Sequence, residues 1–113
     1  MKENIVRNKS FQFALSAIEL YKFMILKNEF VLSKQLLRSA TSIGANIEEA
    51  DAGISKKDFT AKMSIASKEA RESLYWLKLL EYSKLIEYNE CEELIRLLTS
   101  IVKTAQKSLN INH

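Results

Sequence analysis

The sequence predicts an all-α fold, an antiparallel up-down-up-down four-helix bundle. Three observations carry that expectation. The 113 residues contain no proline and only two glycines, Gly44 and Gly53, so little interrupts a long helix. Apolar residues recur at helical spacing along four successive segments, and no stretch shows the two-residue alternation of a strand. The connections between those segments are short, which makes consecutive helices antiparallel neighbours.

The first helix is expected from about Ser10 to Asn28, with Ser10 as N-cap and residues 1–9 as a flexible basic tail. Its expected core stripe is Phe11, Ala14, Leu15, Ile18, Tyr21 and Ile25. The second helix spans roughly Val31 to Ala50, with Leu32, Leu36, Ala40, Ile43, Ile47 and Ala50 inward. The third opens at "SKKD", where Ser55 caps and Asp58 answers from the third position, and runs to about Lys84. Phe59, Met63, Ala66, Ala70, Leu74 and Leu77 form its stripe. The fourth follows Tyr88 with Asn89 as cap and Glu90, Glu92 and Glu93 in its first turn, where the helix dipole favours acids. Leu94, Leu98, Ile101, Val102 and Ala105 face in, and residues 110–113 are expected to fray.

Two helices carry a second apolar stripe. Helix 1 offers Phe13, Ala17, Leu20 and Met24, and helix 3 offers Ile65, Trp76, Leu79 and Leu80. A monomeric bundle needs one apolar face per helix, so Phe13, Leu20, Met24, Ile65, Trp76 and Leu79 are expected to form an oligomer interface. A wide core face is the other reading.

The chain is long enough for one domain, residues 1–113, with a proper core. Its 47% hydrophobic and 27% charged residues are those of a globular protein. The one cysteine, Cys91, cannot form an internal disulfide, which fits a reducing cytoplasm. No signal-peptide pattern opens the chain, and the richest apolar stretch, Phe11 to Leu26, is broken by Gln12, Ser16, Glu19 and Lys22, so no membrane association is expected. Net charge is +3, and the excess sits in the first half.

Much chemistry is missing. A di-iron bundle needs Glu-x-x-His pairs on facing helices, and the one histidine is His113. Ser-His-Asp and Cys-His nucleophiles fail for the same reason. There is no Gly-rich phosphate loop. Cys91 sits in a first helical turn, where the dipole lowers a thiol pKa, but it also falls on the core stripe as a buried, inert thiol would. No enzyme, cofactor or metal is expected.

The stretch "RSATSIGANIEEADAG" is unusual. At 100° per residue Gln35, Arg38, Ser42, Asn46 and Glu49 fall in one arc of about 80° bordering the core. Small neighbours let another backbone approach. Arg38 would want a carboxylate, and Glu69 and Glu72 border the core of helix 3. The arc reads as a hydrogen-bonded seam between helices 2 and 3, with a ligand pocket as the alternative.

These residues resemble a known family. "LRSATSIGANIEEA" followed by "SKKDFTAKMSIASKEARESLYWLKLL" is similar to the bacterial four-helix-bundle family of 23S rRNA intervening-sequence proteins. The matching pattern is R-x-x-x-S-I-x-A-N-I-x-E over Arg38 to Glu49 and I-A-x-x-E-x-x-E over Ile65 to Glu72. The resemblance covers about residues 9–108. It departs where many members have Pro at Gly44 and read N-I-A-E-G at Asn46–Ala50. It implies a four-helix bundle assembling into closed pentameric rings, without enzymatic activity. It also implies kinship with accessory proteins of diversity-generating retroelements, which bind nucleic acid and a reverse transcriptase.

On helix 3 the side opposite the core carries Lys57, Lys68, Arg71, Tyr75, Lys78 and Tyr82. Cations interleaved with tyrosines suit phosphate contacts and base stacking. Arg96, Lys103 and Lys107 lie on the outer side of helix 4, and Lys2, Arg7 and Lys9 in the tail. The alternative is an ordinary solvated surface. The expectation is a non-catalytic homo-oligomer, a pentamer, that binds RNA or DNA as an adaptor. A scaffold gripping a protein partner through apolar stripes is the alternative.

Overall fold

The computed structural model describes residues 2–85 and 88–111, with the side-chain surroundings of residues 5–85, 92–104 and 107. Four helices follow one another: α1 (Lys2–Leu26), α2 (Val31–Asp51), α3 (Lys56–Tyr82) and α4 (Tyr88–Ile111). No strand occurs among the described residues. Each helix packs on its chain neighbours, and α1 closes against α4. The result is a four-helix bundle measuring 44 × 19 × 19 Å, the proportions of helices aligned along one axis.

Helix boundaries have local causes. The Ser55 hydroxyl accepts from the Asp58 amide at 3.1 Å, the expected start of α3. The start of α2 is capped by a residue the sequence reading passed over. Glu29 Oε1 accepts from the Val31 and Leu32 amides at 3.2 and 2.8 Å, and Oε2 accepts from the Ser33 amide at 2.8 Å. Burial pushes this carboxyl up, but the three backbone bonds together with the Ser33 side chain outweigh it and hold its pKa below the ordinary 4.5. Helix α1 ends in a left-handed turn at Asn28 and α3 in another at Lys84, each with φ 63°. At each end the next amide reaches back five residues, Glu29 to the Met24 carbonyl and Leu85 to the Leu80 carbonyl.

The start of α1 corrects the sequence reading. The helix begins at Lys2, not Ser10. Val6 and Ser10 are both 1% exposed, so the expected basic tail is part of the packed bundle from at least Val6 onward. Ser10 is no cap: its hydroxyl donates to the Arg7 carbonyl inside the helix. It lies against Gly44, where an added Cβ would stand 3.7 Å from Ser10 Oγ. Arg7 spans to α2, with Nη2 2.8 Å from Glu48 Oε2 and Nε 3.3 Å from Asp51 Oδ2.

The added turns of α1 reverse its two stripes. Phe13, Ala17, Leu20 and Met24 are buried in the core, in line with Val6, while Phe11 is 63% and Leu15 45% exposed. Phe13, Leu20 and Met24 therefore do not form an intersubunit surface. The two stripes are comparably apolar. What selects the inner one is its continuation through Val6 and the small Ser10 facing Gly44, both hidden by starting the helix at Ser10.

Elsewhere the stripes fall as expected. Leu36, Ala40, Ile43, Ile47 and Ala50 of α2 are buried, as are Met63, Ala66, Ala70 and Leu77 of α3 and Leu94, Leu98 and Ile101 of α4. Leu80, assigned to the second stripe of α3, is also core. Of that stripe Ile65 remains exposed, and Trp76 and Leu79 are half-buried. Helix α4 begins at Tyr88 and runs to Ile111. The side chains of Asn89, Cys91 and Ala105, and residues 112–113, lie outside the described residues.

Candidate nucleic-acid interface

Helix α3 is 27 residues long, about 40 Å at 1.5 Å per residue. One side of it is committed to the core. The opposite arc, about 80° wide at 100° per residue, holds Lys57, Lys68, Arg71, Tyr75, Lys78 and Tyr82. All six are exposed. Lys68, Arg71 and Lys78 surround Tyr75 at spacings of seven, four and three residues, which places them on the same face. Among the described residues, none of Lys57, Lys68, Arg71 and Lys78 has a carboxylate within ion-pair distance. Four cations on one strip without internal acids form a positive surface open to external anions.

The other expected cations differ. Arg96 of α4 is held by its own helix, with Nη2 2.8 Å from Glu92 Oε1 and Nη1 3.1 Å from Glu93 Oε2, so most of its charge is answered locally. Lys103 is exposed. Arg7 serves the α1–α2 contact. Lys9 is half-buried, and its ammonium donates to the Ser100 hydroxyl across α1 and α4.

Beside the basic face runs the polar seam, partly as expected. Arg38 reaches from α2 to both carboxylates of α3: Nη1 lies 3.4 Å from Glu69 Oε2, and Nη2 donates to Glu72 Oε1. Glu49 pairs with Lys62 at 3.6 Å. Asn46 does not cross to α3. Its amide donates to the Ser42 carbonyl and hydroxyl at 2.9 and 3.1 Å, within its own helix, because the carbonyl one turn back is within reach of an Asn side chain without ordering a partner. Gln35 is exposed and joins no hydrogen bond among the described residues. Arg38 is half exposed, so the charged contacts form a rim rather than a buried pocket.

What crosses the buried part of the α2–α3 contact is a pair the sequence reading missed. Ser39 and Ser73 are both 0% exposed, and their hydroxyls meet at 2.8 Å. Each sits one position from an expected core residue, Ala40 and Leu74, and that placement was the available signal.

The rim also organises the aromatic part of the basic face. Trp76 Nε1 donates to Glu72 Oε1 at 3.3 Å, the same oxygen that receives Arg38. Tyr75 packs edge-on against Trp76, with ring centroids 5.2 Å apart and planes at 64°. Tyr75 is still 58% exposed.

On another side of the bundle, Leu20 and Phe23 of α1 and Leu94 and Leu97 of α4 line an open groove of about 370 Å³, rimmed by Ser16, Glu19 and Glu93. Among the described residues, no three His, Cys, Asp or Glu side chains converge as a metal site would require. Among them, too, no helix is long and apolar enough to cross a membrane.

Comparison with known proteins agrees with this architecture. A solved protein of unknown function from the S23 ribosomal protein family of Bacteroides thetaiotaomicron VPI-5482 is 45% identical and superposes with a TM-score of 0.95. The match covers 97% of this chain and 99% of that one. No functionally curated protein matches the chain. Neither the neighbour's description nor the family's indicates a catalytic activity. The family described as 23S rRNA-intervening sequence protein matches residues 2–107, nearly the full length of the bundle, and the chain belongs to that family.

Proposed function

We propose that this chain is a non-catalytic, self-assembling cytoplasmic adaptor that binds RNA or DNA through the outer face of α3. The observation that carries the reading is the strip of exposed cations, Lys57, Lys68, Arg71 and Lys78, none with an acidic partner among the described residues. An isolated surface cation is ordinary. Four on one 27-residue helix, interleaved with exposed tyrosines, match a run of phosphates. Lys103 on α4 would add a further contact, and Arg96 less. Kinship with the nucleic-acid-handling accessory bundles of diversity-generating retroelements is part of the same proposal.

Self-association would use apolar surface that the subunit leaves open. With Phe13, Leu20 and Met24 inside, the candidates are Ile65 and the half-buried Leu79 and Trp76 of α3, together with Phe11 and Leu15 of α1. A ring of five would repeat the basic strip five times, and avidity would strengthen a weak contact.

A second reading is a scaffold that holds a protein partner, which the apolar groove between α1 and α4 favours. Salt separates the two. Phosphate binding weakens steeply as salt rises, because each neutralised phosphate releases counterions. An apolar contact does not. Titration of the purified chain against structured RNA and duplex DNA at low and high salt, with the oligomer mass measured on the same sample, tests the proposal. Affinity that falls steeply with salt is expected. No binding at low salt contradicts it.

A further inference from the structure

Resting on the nucleic-acid reading above, we infer that Tyr75 is a preorganised base-stacking platform and that the α3 face takes single-stranded nucleic acid in preference to duplex. The Tyr75 ring stands edge-to-face with Trp76 at 5.2 Å. Trp76 is tied through its indole N–H to Glu72, and Glu72 is tied to Arg38 on the neighbouring helix. A chain of contacts therefore runs from α2 to the base of the phenol ring. Yet 58% of Tyr75 is open to solvent. A surface tyrosine with no task at that spot would be free to lie along the helix. This one is backed by an aromatic ring that is itself hydrogen-bonded, so binding would order little that is not already ordered.

The surroundings specify the ligand. Arg71 and Lys68 lie one and two turns before Tyr75, Lys78 lies one turn after, and Tyr82, 79% exposed, lies two turns after. Two turns are about 11 Å along the axis. That alternation of cation, ring, cation and ring matches a strand whose phosphates and bases both face the protein. In a duplex the base faces are covered by their neighbours, and a helix laid on the outside meets only phosphate and sugar. The tyrosines would then stand between the cations and the backbone without a partner. A single strand offers π-faces that any base supplies, and stacking on one aromatic ring is worth roughly tenfold or more in affinity.

The test uses the full chain and two probes, a short oligouridylate and a fully paired RNA duplex of the same length, each followed by anisotropy at one low salt concentration. Trp76 is the one tryptophan of the chain and touches Tyr75, so its emission reports on stacking at that ring. The oligouridylate is expected to bind about tenfold more tightly than the duplex and to change Trp76 emission. Tyr75→Ala is expected to weaken the single strand by about tenfold and leave the duplex unchanged, while Tyr75→Phe retains binding, since stacking needs the ring and not the hydroxyl. Tyr75 is exposed, so neither variant threatens the fold, and unchanged helicity checks this. Duplex binding as tight as single-strand binding, or a Tyr75→Ala variant that binds the oligouridylate like the parent, overturns the inference while leaving the nucleic-acid reading in place. Failure of both probes to bind overturns the reading on which it rests.

Discussion

The hydroxyls of Ser39 and Ser73 meet at 2.8 Å between α2 and α3, at a point where neither side chain touches water. Either hydroxyl can donate in that bond, but only with Ser73 as donor does Ser39 keep its own bond to the Leu36 carbonyl at 3.2 Å. Removing either member therefore has unequal consequences.

Ser39→Ala strands the Ser73 donor in the core and is expected to destabilise the fold by about 2 kcal/mol. Ser73→Ala leaves Ser39 bonded to Leu36 and is expected to cost about 1 kcal/mol. The double variant is expected to lose less than the sum, because no buried hydroxyl is left alone. Urea denaturation of the three proteins checks the order.

The length of α1 is tested at Val6, which is 1% exposed. If residues 5–9 belong to the packed bundle, Val6→Ala removes buried methyl groups and lowers stability by about 2 kcal/mol. A denaturation midpoint equal to the parent's would mean that this segment is a tail after all.

These two cases mark what the sequence could and could not disclose. Four helices, three core stripes and the Arg38–Glu69–Glu72 contact were legible because helical period and opposite charge survive without coordinates. The start of α1 was not, because a serine ahead of an apolar run looks the same as a cap and as a small residue facing a glycine. With the helix starting at Ser10, two comparably apolar stripes of α1 cannot be ranked, and Phe13 falls on the expected oligomer interface instead of in the core. Glu29 was missed because a capping Glu lies off the usual Ser, Thr, Asp and Asn pattern. The cations of α3 were legible as a face. That they have no acidic partner among the described residues was not, since Arg96 reads the same in sequence and is answered by Glu92 and Glu93.

Glu29 makes the stability of the bundle depend on pH. Its pKa is lowered in the folded chain from the ordinary 4.5, so its contribution is full above pH 4.5 and is lost as pH falls through the folded value. Glu29→Gln is expected to lower stability by about 1 kcal/mol at neutral pH. The gap between parent and variant is expected to narrow as pH drops below 4.5, read from thermal melts at a series of pH values.

Lys84 occupies the left-handed turn after α3 with φ 63°, a conformation that strains a side chain and suits glycine. Lys84→Gly is expected to stabilise the fold by about 1 kcal/mol. The corresponding rise in Tm is about 4 °C, and a fall would show that the lysine side chain makes up for its backbone strain.

The account stands or falls on the cations of α3. The most direct test compares the parent with a triple variant, Lys68→Gln, Arg71→Gln and Lys78→Gln, in one RNA-binding titration across a range of salt, with helicity confirming that both are folded. The account predicts that the variant loses most of its affinity and that the slope of log affinity against log salt flattens by up to about three phosphate contacts. A variant that binds with the parent's affinity and salt slope would contradict it, and would place the nucleic-acid site, if any, on another face of the bundle.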